Sequence, residues 1–326
     1  MHEQTPPKKT VVVQGGTDGM GRGIVMARLE AGDTVVALGS SAEKGRRLHA
    51  EAAALGAGDR LRFVRADLSS IAENERAVAD IRAQSPAVDA LVLCANRQAP
   101  RREVTAEGLE FTFALYYLSR YLLSHGLRAE FDAAPAPVIV NVAAAGLKVG
   151  RVNLADLQSE AKYSTIRAQM QAGRANDLLG RSLADEPSSR ARIVLHHPGF
   201  TRTLGGIGHL RQPAKGIITL LGKVAAKPVE TAIAPMVEVI DGPPAEPLTA
   251  IDRGRPVDLA MATFDPARAR ELAEATRGLV VAHHGESPLL PQTNEKWNGK
   301  GFSGNGETPS RRTTTRTPTS RPYPAD

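Results

Sequence analysis

Three glycines, Gly15, Gly19 and Gly21, stand in the stretch VVVQGGTDGMGRGIV with the spacing G-x-x-x-G-x-G. Glycine lets a backbone turn tightly and come close to a pyrophosphate, and the N-terminus of a following helix then stabilises the anion. The spacing alone is a weak signal. It gains weight because the β-branched run TVVVQ precedes it and a helical pattern follows it. A tight turn that holds no ligand is the plainer alternative.

Other reactive residue types are sparse. Cys94 is the only cysteine, so no internal disulfide can form. It closes the apolar run ALVLC, which reads as a buried strand-end thiol rather than a nucleophile with a base beside it. Tyr163 has Arg167 four positions on, in outline a tyrosine–cation pair, but a packing tyrosine is the stronger reading. His196 and His197 end another apolar run, and Tyr116 and Tyr117 sit in a helical pattern from which one can face a pocket. No metal is expected.

The elements that must position these residues alternate. Short apolar runs fall at 10–14, 34–39, 61–66, 90–95, 137–143 and 191–197, with helical patterns near 20–31, 42–55, 71–83, 106–128 and 163–184. That order predicts an α/β fold: a doubly wound, Rossmann-type parallel sheet with helices on both faces. The strands are apolar throughout, as required when both faces are covered. After residue 200 the pattern loosens into a substrate-loop region at about 200–225, followed by helices beginning near Pro228 and Asp265. Residues 1–283 are expected to form one domain. Residues 284–326, rich in Gly, Pro, Ser, Thr and Arg, are expected to be a disordered tail.

Composition narrows the function classes. Aromatic residues make up 4% of the 326, so the core must be built mainly of Ala, Val and Leu. The net charge is +6, but basic residues are scattered among acidic ones and the tail carries +2 of it. A nucleic-acid binder would gather the charge into a patch, so no nucleic-acid partner is expected. No apolar run reaches the ~20 residues of a membrane span, and no signal-peptide h-region follows Met1. A cytoplasmic location is expected, and a homo-oligomer is left open.

From Lys8 to Leu279 the chain resembles the short-chain dehydrogenase/reductase (SDR) family, through the glycine loop, RADLSS, ALVLCAN and HHPGFTRT. DLQSEAKYS and TAEGLEFTFALYYLSRYLL look like its retinol-dehydrogenase-like branch. The resemblance implies a nicotinamide dinucleotide held by Gly15, Gly19, Met20, Gly21 and Ser40, by Asp67 and Leu68 near the adenine, and by Ala95. Pro198, Gly199 and Thr203 would face the nicotinamide. Ser40 and Ser41 place no carboxylate at the end of the second strand, and Arg22, Lys44 and Arg46 are close in sequence. NADP(H) is therefore expected over NAD(H), although Asp18 stands where the family usually has a basic residue.

The resemblance also implies four reacting positions, and this chain fills all four differently. The family serine is Ala144, in VNVAAAG. Counting on in the retinol-dehydrogenase-like register, the tyrosine becomes Gln169 and the lysine Gly173. Tyr116 takes the place of the asparagine. An amide is no general acid, alanine donates nothing and glycine carries no charge. General acid–base catalysis contributes ~10²–10⁴ in rate, so the family's usual ketone or alcohol dehydrogenase mechanism is not expected here. Tyr116, Tyr117 and Gln169 remain pocket candidates.

Three readings follow. The chain is an NADP(H)-dependent protein acting on a lipophilic small molecule by unorthodox redox or non-redox chemistry, such as isomerisation, cyclisation or dehydration. Alternatively it is a catalytically silent cofactor-binding subunit. An ordinary reductase rests on family analogy alone.

Overall fold

Each apolar run becomes a strand, and each glycine or capping residue after it opens a helix. The computed structural model describes residues 8–187, 189–199 and 228–291. Strand β1 (Thr10–Gln14) leads into α1 (Gly19–Glu30), β2 (Thr34–Gly39) into α2 (Ala42–Ala54), and β3 (Leu61–Arg65) into α3 (Ile71–Arg82). Asp18, Ser41 and Ser70 are the N-caps of α1, α2 and α3, and their side chains accept from first-turn amides. Strand β4 (Ala90–Leu93) precedes α4, which runs through Phe111–Phe113, a π-helical segment Ala114–Leu118 and Ser119–Gly126. Then come α5 (Arg128–Asp132), β5 (Val138–Val142), α6 (Thr165–Ala184) and β6 (Arg192–His197). The last elements are α7 (Val229–Asp241), β7 (Leu248–Asp252), β8 (Arg255–Pro256) and α8 (Pro266–His284).

The strand order is β3-β2-β1-β4-β5-β6-β7-β8. All pairings are parallel except β7 with β8. The chain reverses its direction of winding between β1 and β4, and ligands of such sheets bind outside the carboxyl ends of the strands at that point. Alternate residues of each strand feed two cores. One contains Val12, Val36 and Leu91 with Val78 of α3, Leu178 of α6 and Leu272 of α8. The other contains Val11, Val13 and Val35 with Ile24 of α1, Leu48 of α2 and Met236 of α7. The doubly wound reading is met.

Strands β7 and β8 were hidden in the loosened pattern after residue 200. Leu248 and Ala250 are buried, but the strand is short and β8 is a two-residue antiparallel edge. The described residues up to Pro291 belong to one compact unit. Leu289 and Leu290 are buried, and a side chain added at Gly126 would meet Leu289. Of the tail expected at 284–326, residues 292–326 lie outside the described residues, as does the substrate loop expected at 200–225.

Candidate functional site

Where β1 ends, the chain turns at Gly15 with φ +74°. A Cβ there would lie 2.9 Å from the backbone nitrogen of Ala95, and one on Gly21 would lie 2.2 Å from the carbonyl oxygen of Gly15. Both contacts are with backbone, which cannot yield cheaply, so this turn admits only glycine at these positions. Gly19 also has positive φ, +52°. Met20 is half-buried against the sheet. The loop therefore brings Gly15, Gly21 and Ala95 together.

Beside the loop, Thr17, Asp18, Arg22, Lys44, Arg47 and Glu51 line a recess of about 340 Å³. Its charges are paired internally. Lys44 Nζ lies 2.5 Å from Asp18, and Arg22 lies 2.6 Å from Glu51. The hydrogen bond from Lys44 holds the Asp18 carboxyl below its ordinary range. Ser41 accepts from the Lys44 amide as the cap of α2, and the Ser40 carbonyl accepts from Arg65. Asp67 is exposed after β3, accepts from Ser69 and is followed by the buried Leu68.

The positions expected to react lie across β4 and β5 from this recess. A Cβ on Gly173 would sit 3.6 Å from the Ala144 Cβ, so α6 and the loop after β5 bring these two positions face to face. Gln169 exchanges amide hydrogen bonds with Asn96 at 3.2 and 3.3 Å and donates to the Arg97 carbonyl. Tyr116 is buried, and burial pushes its hydroxyl pKa up, against the pull of Arg120. The hydroxyl of its neighbour Tyr117 pairs with Thr276 of α8 at 2.8 Å. Adjacent helical residues diverge, and of these two tyrosines it is the Tyr117 phenol that is spent on α8.

Sequence reading missed the buried polar network that joins these positions. Arg120 is completely buried, and its guanidinium donates to Asn141 Oδ1, to Val142 O and to Ala95 O. It also lies 4.6 Å from the Tyr116 ring centroid. Asn141 donates to Asn176, which donates to the carbonyl oxygens of Tyr116 and Ala172. Ser119 takes the Leu115 carbonyl and accepts from Gln14. Side chains thus claim two carbonyls of the π-helical segment, which accounts for the interrupted α-helical ladder. An arginine inside the apolar run YYLSRYLL was the available signal.

The remaining candidates are placed simply. Cys94 follows β4, and burial pushes its thiol up to about 12, so it is inert as a nucleophile at neutral pH. Tyr163 donates to the Ala99 carbonyl, which is the packing role expected of it. His197 pairs with Asp252 at 2.7 Å. Pro198 is buried and Gly199 has φ +82°, while Thr203 lies outside the described residues. Among the described residues no group of three or more His, Cys, Asp or Glu could hold a metal, and no helix is long and apolar enough to cross a membrane.

The fold and the glycine turn define a class. The family model for short chain dehydrogenase matches residues 9–164 and ends just before α6. Over those residues the chain is similar to the short-chain dehydrogenase family, and its similar proteins include retinol dehydrogenases. It is 28% identical to human polyprenol dehydrogenase over 60% of this chain and 62% of that protein. It is 26% identical to mouse retinol dehydrogenase 13 over 61% of this chain and 60% of that one. Mouse retinol dehydrogenase 14 is 26% identical over 72% of this chain and 76% of that one. The chain thus spans about six-tenths of the first two relatives. Among solved structures, an uncharacterised protein from Mycobacterium paratuberculosis superposes with TM-score 0.61 at 22% identity, covering 83% of this chain and 92% of that one. A blue fluorescent protein from a metagenomic library, solved with NADPH, gives 0.58 at 23% identity over 77% and 99%.

Proposed function

We propose that this chain is an NADP(H)-binding SDR-fold protein for a lipophilic small molecule in which the family's proton-transfer groups are replaced. The observation that carries the reading is the facing pair Ala144 and Gly173, a methyl and a hydrogen where the family pattern has a hydroxyl and an ammonium. Gln169, at the tyrosine position, offers an amide already engaged by Asn96 and Arg97. The end of the family match before α6 agrees with divergence centred on that helix.

The glycine turn fits a dinucleotide. Asp18 takes the Gly19 amide, leaving the Met20 and Gly21 amides of the first turn of α1 for a pyrophosphate. Ala95, Pro198, Gly199 and Thr203 would border the nicotinamide, and Ser40, Asp67 and Leu68 the adenosine. Arg22 and Lys44 would meet the additional phosphate of NADP(H), exchanging Glu51 and Asp18 for it. When bound, the nicotinamide supplies hydride chemistry. The chain's own groups around it bind and exclude water, and they include no acid paired with a cation at positions 169 and 173. Turnover therefore takes an unorthodox redox or a non-redox route. A silent cofactor-binding subunit is the second reading, favoured by the commitment of Arg120, Asn141 and Asn176 to groups of the fold itself.

Calorimetric titration with NADPH, NADP, NADH and NAD, followed by ketone-reductase assays, tests both parts. Binding with preference for the phosphorylated forms and negligible reduction of simple ketones is expected. The combined variant Ala144→Ser, Gln169→Tyr, Gly173→Lys and Tyr116→Asn should gain activity that no single change gives, because such groups act as a unit. Robust ketone reduction by the unaltered protein would overturn the reading.

A further inference from the structure

A second cavity, of about 500 Å³, opens beside α6 and the start of α8. None of the glycine-loop residues, and none of positions 116, 144, 169 and 173, lines it. Its volume lies in the range of small-molecule sites, ~300–1,000 Å³. Leu147, Val152, Leu178 and Met261 give it apolar walls.

Its charge is one-sided. Lys148, Arg151, Arg174 and Arg268 line it against a single carboxylate, Asp265. That carboxylate is occupied as the cap of α8, accepting from the Arg268 amide at 2.8 Å. Arg268 itself donates to the Val152 carbonyl and to Glu271. Lys148 and Arg151 are exposed and have no ion-pair partner among the described residues.

Arg174 is different in kind. Its side chain is 4% exposed, and it donates to Leu147 O and Ala144 O. It also pairs with the completely buried Asp177 at 2.7 Å. Its Nε has no hydrogen-bond partner in the described structure. Burial pushes the Asp177 carboxyl up to about 6, which weakens the counter-charge on Arg174 as the pH falls toward that value. A buried guanidinium with an unused N–H, behind two unpaired surface cations and beside apolar walls, is arranged for an anion that also carries an apolar body.

We propose that this cavity is a second small-molecule site, distinct from the dinucleotide site, and that it takes an amphiphilic anion. A carboxylate or phosphate head sits between Lys148 and Arg151 with Arg174 behind it. The apolar body lies along Leu147, Val152, Leu178 and Met261.

The test is a calorimetric titration of the full chain with sodium dodecanoate, dodecyl phosphate and dodecanol, each below its micellar concentration. Saturable one-to-one binding of at least one anion is expected, at least tenfold tighter than dodecanol, and the two anions decide which head group is preferred. The double variant Lys148→Glu, Arg151→Glu, altered only at exposed positions, should weaken anion binding at least tenfold. Ala262→Trp, which fills the cavity from an exposed position, should abolish it. Both variants should bind NADPH as the unaltered protein does, so failure of the cofactor reading leaves this result separate. Absence of saturable anion binding, equal binding of dodecanol, or an unchanged affinity in the double variant would overturn the proposal.

Discussion

The two halves of the sheet's carboxyl edge hold their polar groups in opposite ways. Around α1 and α2 the charged groups are exposed and paired with partners they can exchange. Lys44 is half-exposed against Asp18, and Arg22 against Glu51. Around α4 and α6 they are buried and committed. Arg120, Asn141 and Asn176 satisfy carbonyls that belong to the fold itself. A surface pair contributes ~0–1 kcal/mol and is easily exchanged for a ligand phosphate. A buried donor cannot leave its acceptor without stranding it, at ~1–3 kcal/mol per group. The first half can exchange its partners, whereas the second holds them.

Arg120→Leu is the strongest way to break this contrast. It strands Asn141 Oδ1, Val142 O and Ala95 O, and should lower the unfolding free energy by at least ~3 kcal/mol in denaturant titrations. A loss below 1 kcal/mol would mean that the network is not structural.

Gly21→Ala acts on the other half. Its Cβ would meet the Gly15 carbonyl oxygen at 2.2 Å. The change should cost about 1–3 kcal/mol of stability and eliminate calorimetrically detectable NADPH binding. Retained binding would show that the turn is not the pyrophosphate cradle.

His125 sharpens the comparison through pH. It is buried on α4, edge-on to Tyr121 at 4.4 Å, near Glu186 and Arg128. Burial pushes its imidazole down to about 4 from 6.5. The unfolded chain therefore takes up a proton at this residue first, and stability is lost as pH falls from about 6.5 toward about 4. His125→Gln should flatten that part of the stability–pH profile, by on the order of 1–2 kcal/mol at its acid end. An unchanged profile would assign the acid sensitivity elsewhere.

Two smaller effects complete the set. Gly173→Ala places a methyl in ordinary contact with Ala144 and should stabilise α6 by roughly 0.5–1 kcal/mol, read as a raised Tm. A lowered Tm would mean that position 173 needs to be empty. Asp18→Asn keeps a capping side chain but frees Lys44, and should tighten NADPH binding by ~2- to 5-fold without improving NADH. Equal gains for both cofactors would place Lys44 away from the additional phosphate.

Much of this arrangement could be read from residue types and spacing. The six first strands, the helices between them and the glycine turn were legible because apolar runs, capping residues and Gly15, Gly19 and Gly21 are local signals set by backbone sterics and burial. The proposed replacement of reacting types at Ala144, Gln169 and Gly173 came from the family pattern, and the structure adds that the first and last of these positions face each other.

Other features depend on partners far apart in the chain, and the sequence carries no mark of them. Tyr116 and Tyr117 are adjacent and identical, yet one ring lies against Arg120 and the other phenol reaches Thr276 of α8, 159 residues away. Leu289 packs against Gly126, more than 150 residues earlier in the chain, a contact that composition alone cannot show. Arg174 reads as one more surface cation on α6. It becomes a buried cavity wall only when the loop after β5 and the first turn of α8 close around it. Sequence determined the local elements because each follows from a few neighbouring residues, whereas the direction and burial of a side chain are fixed by whichever distant segment arrives to cover it.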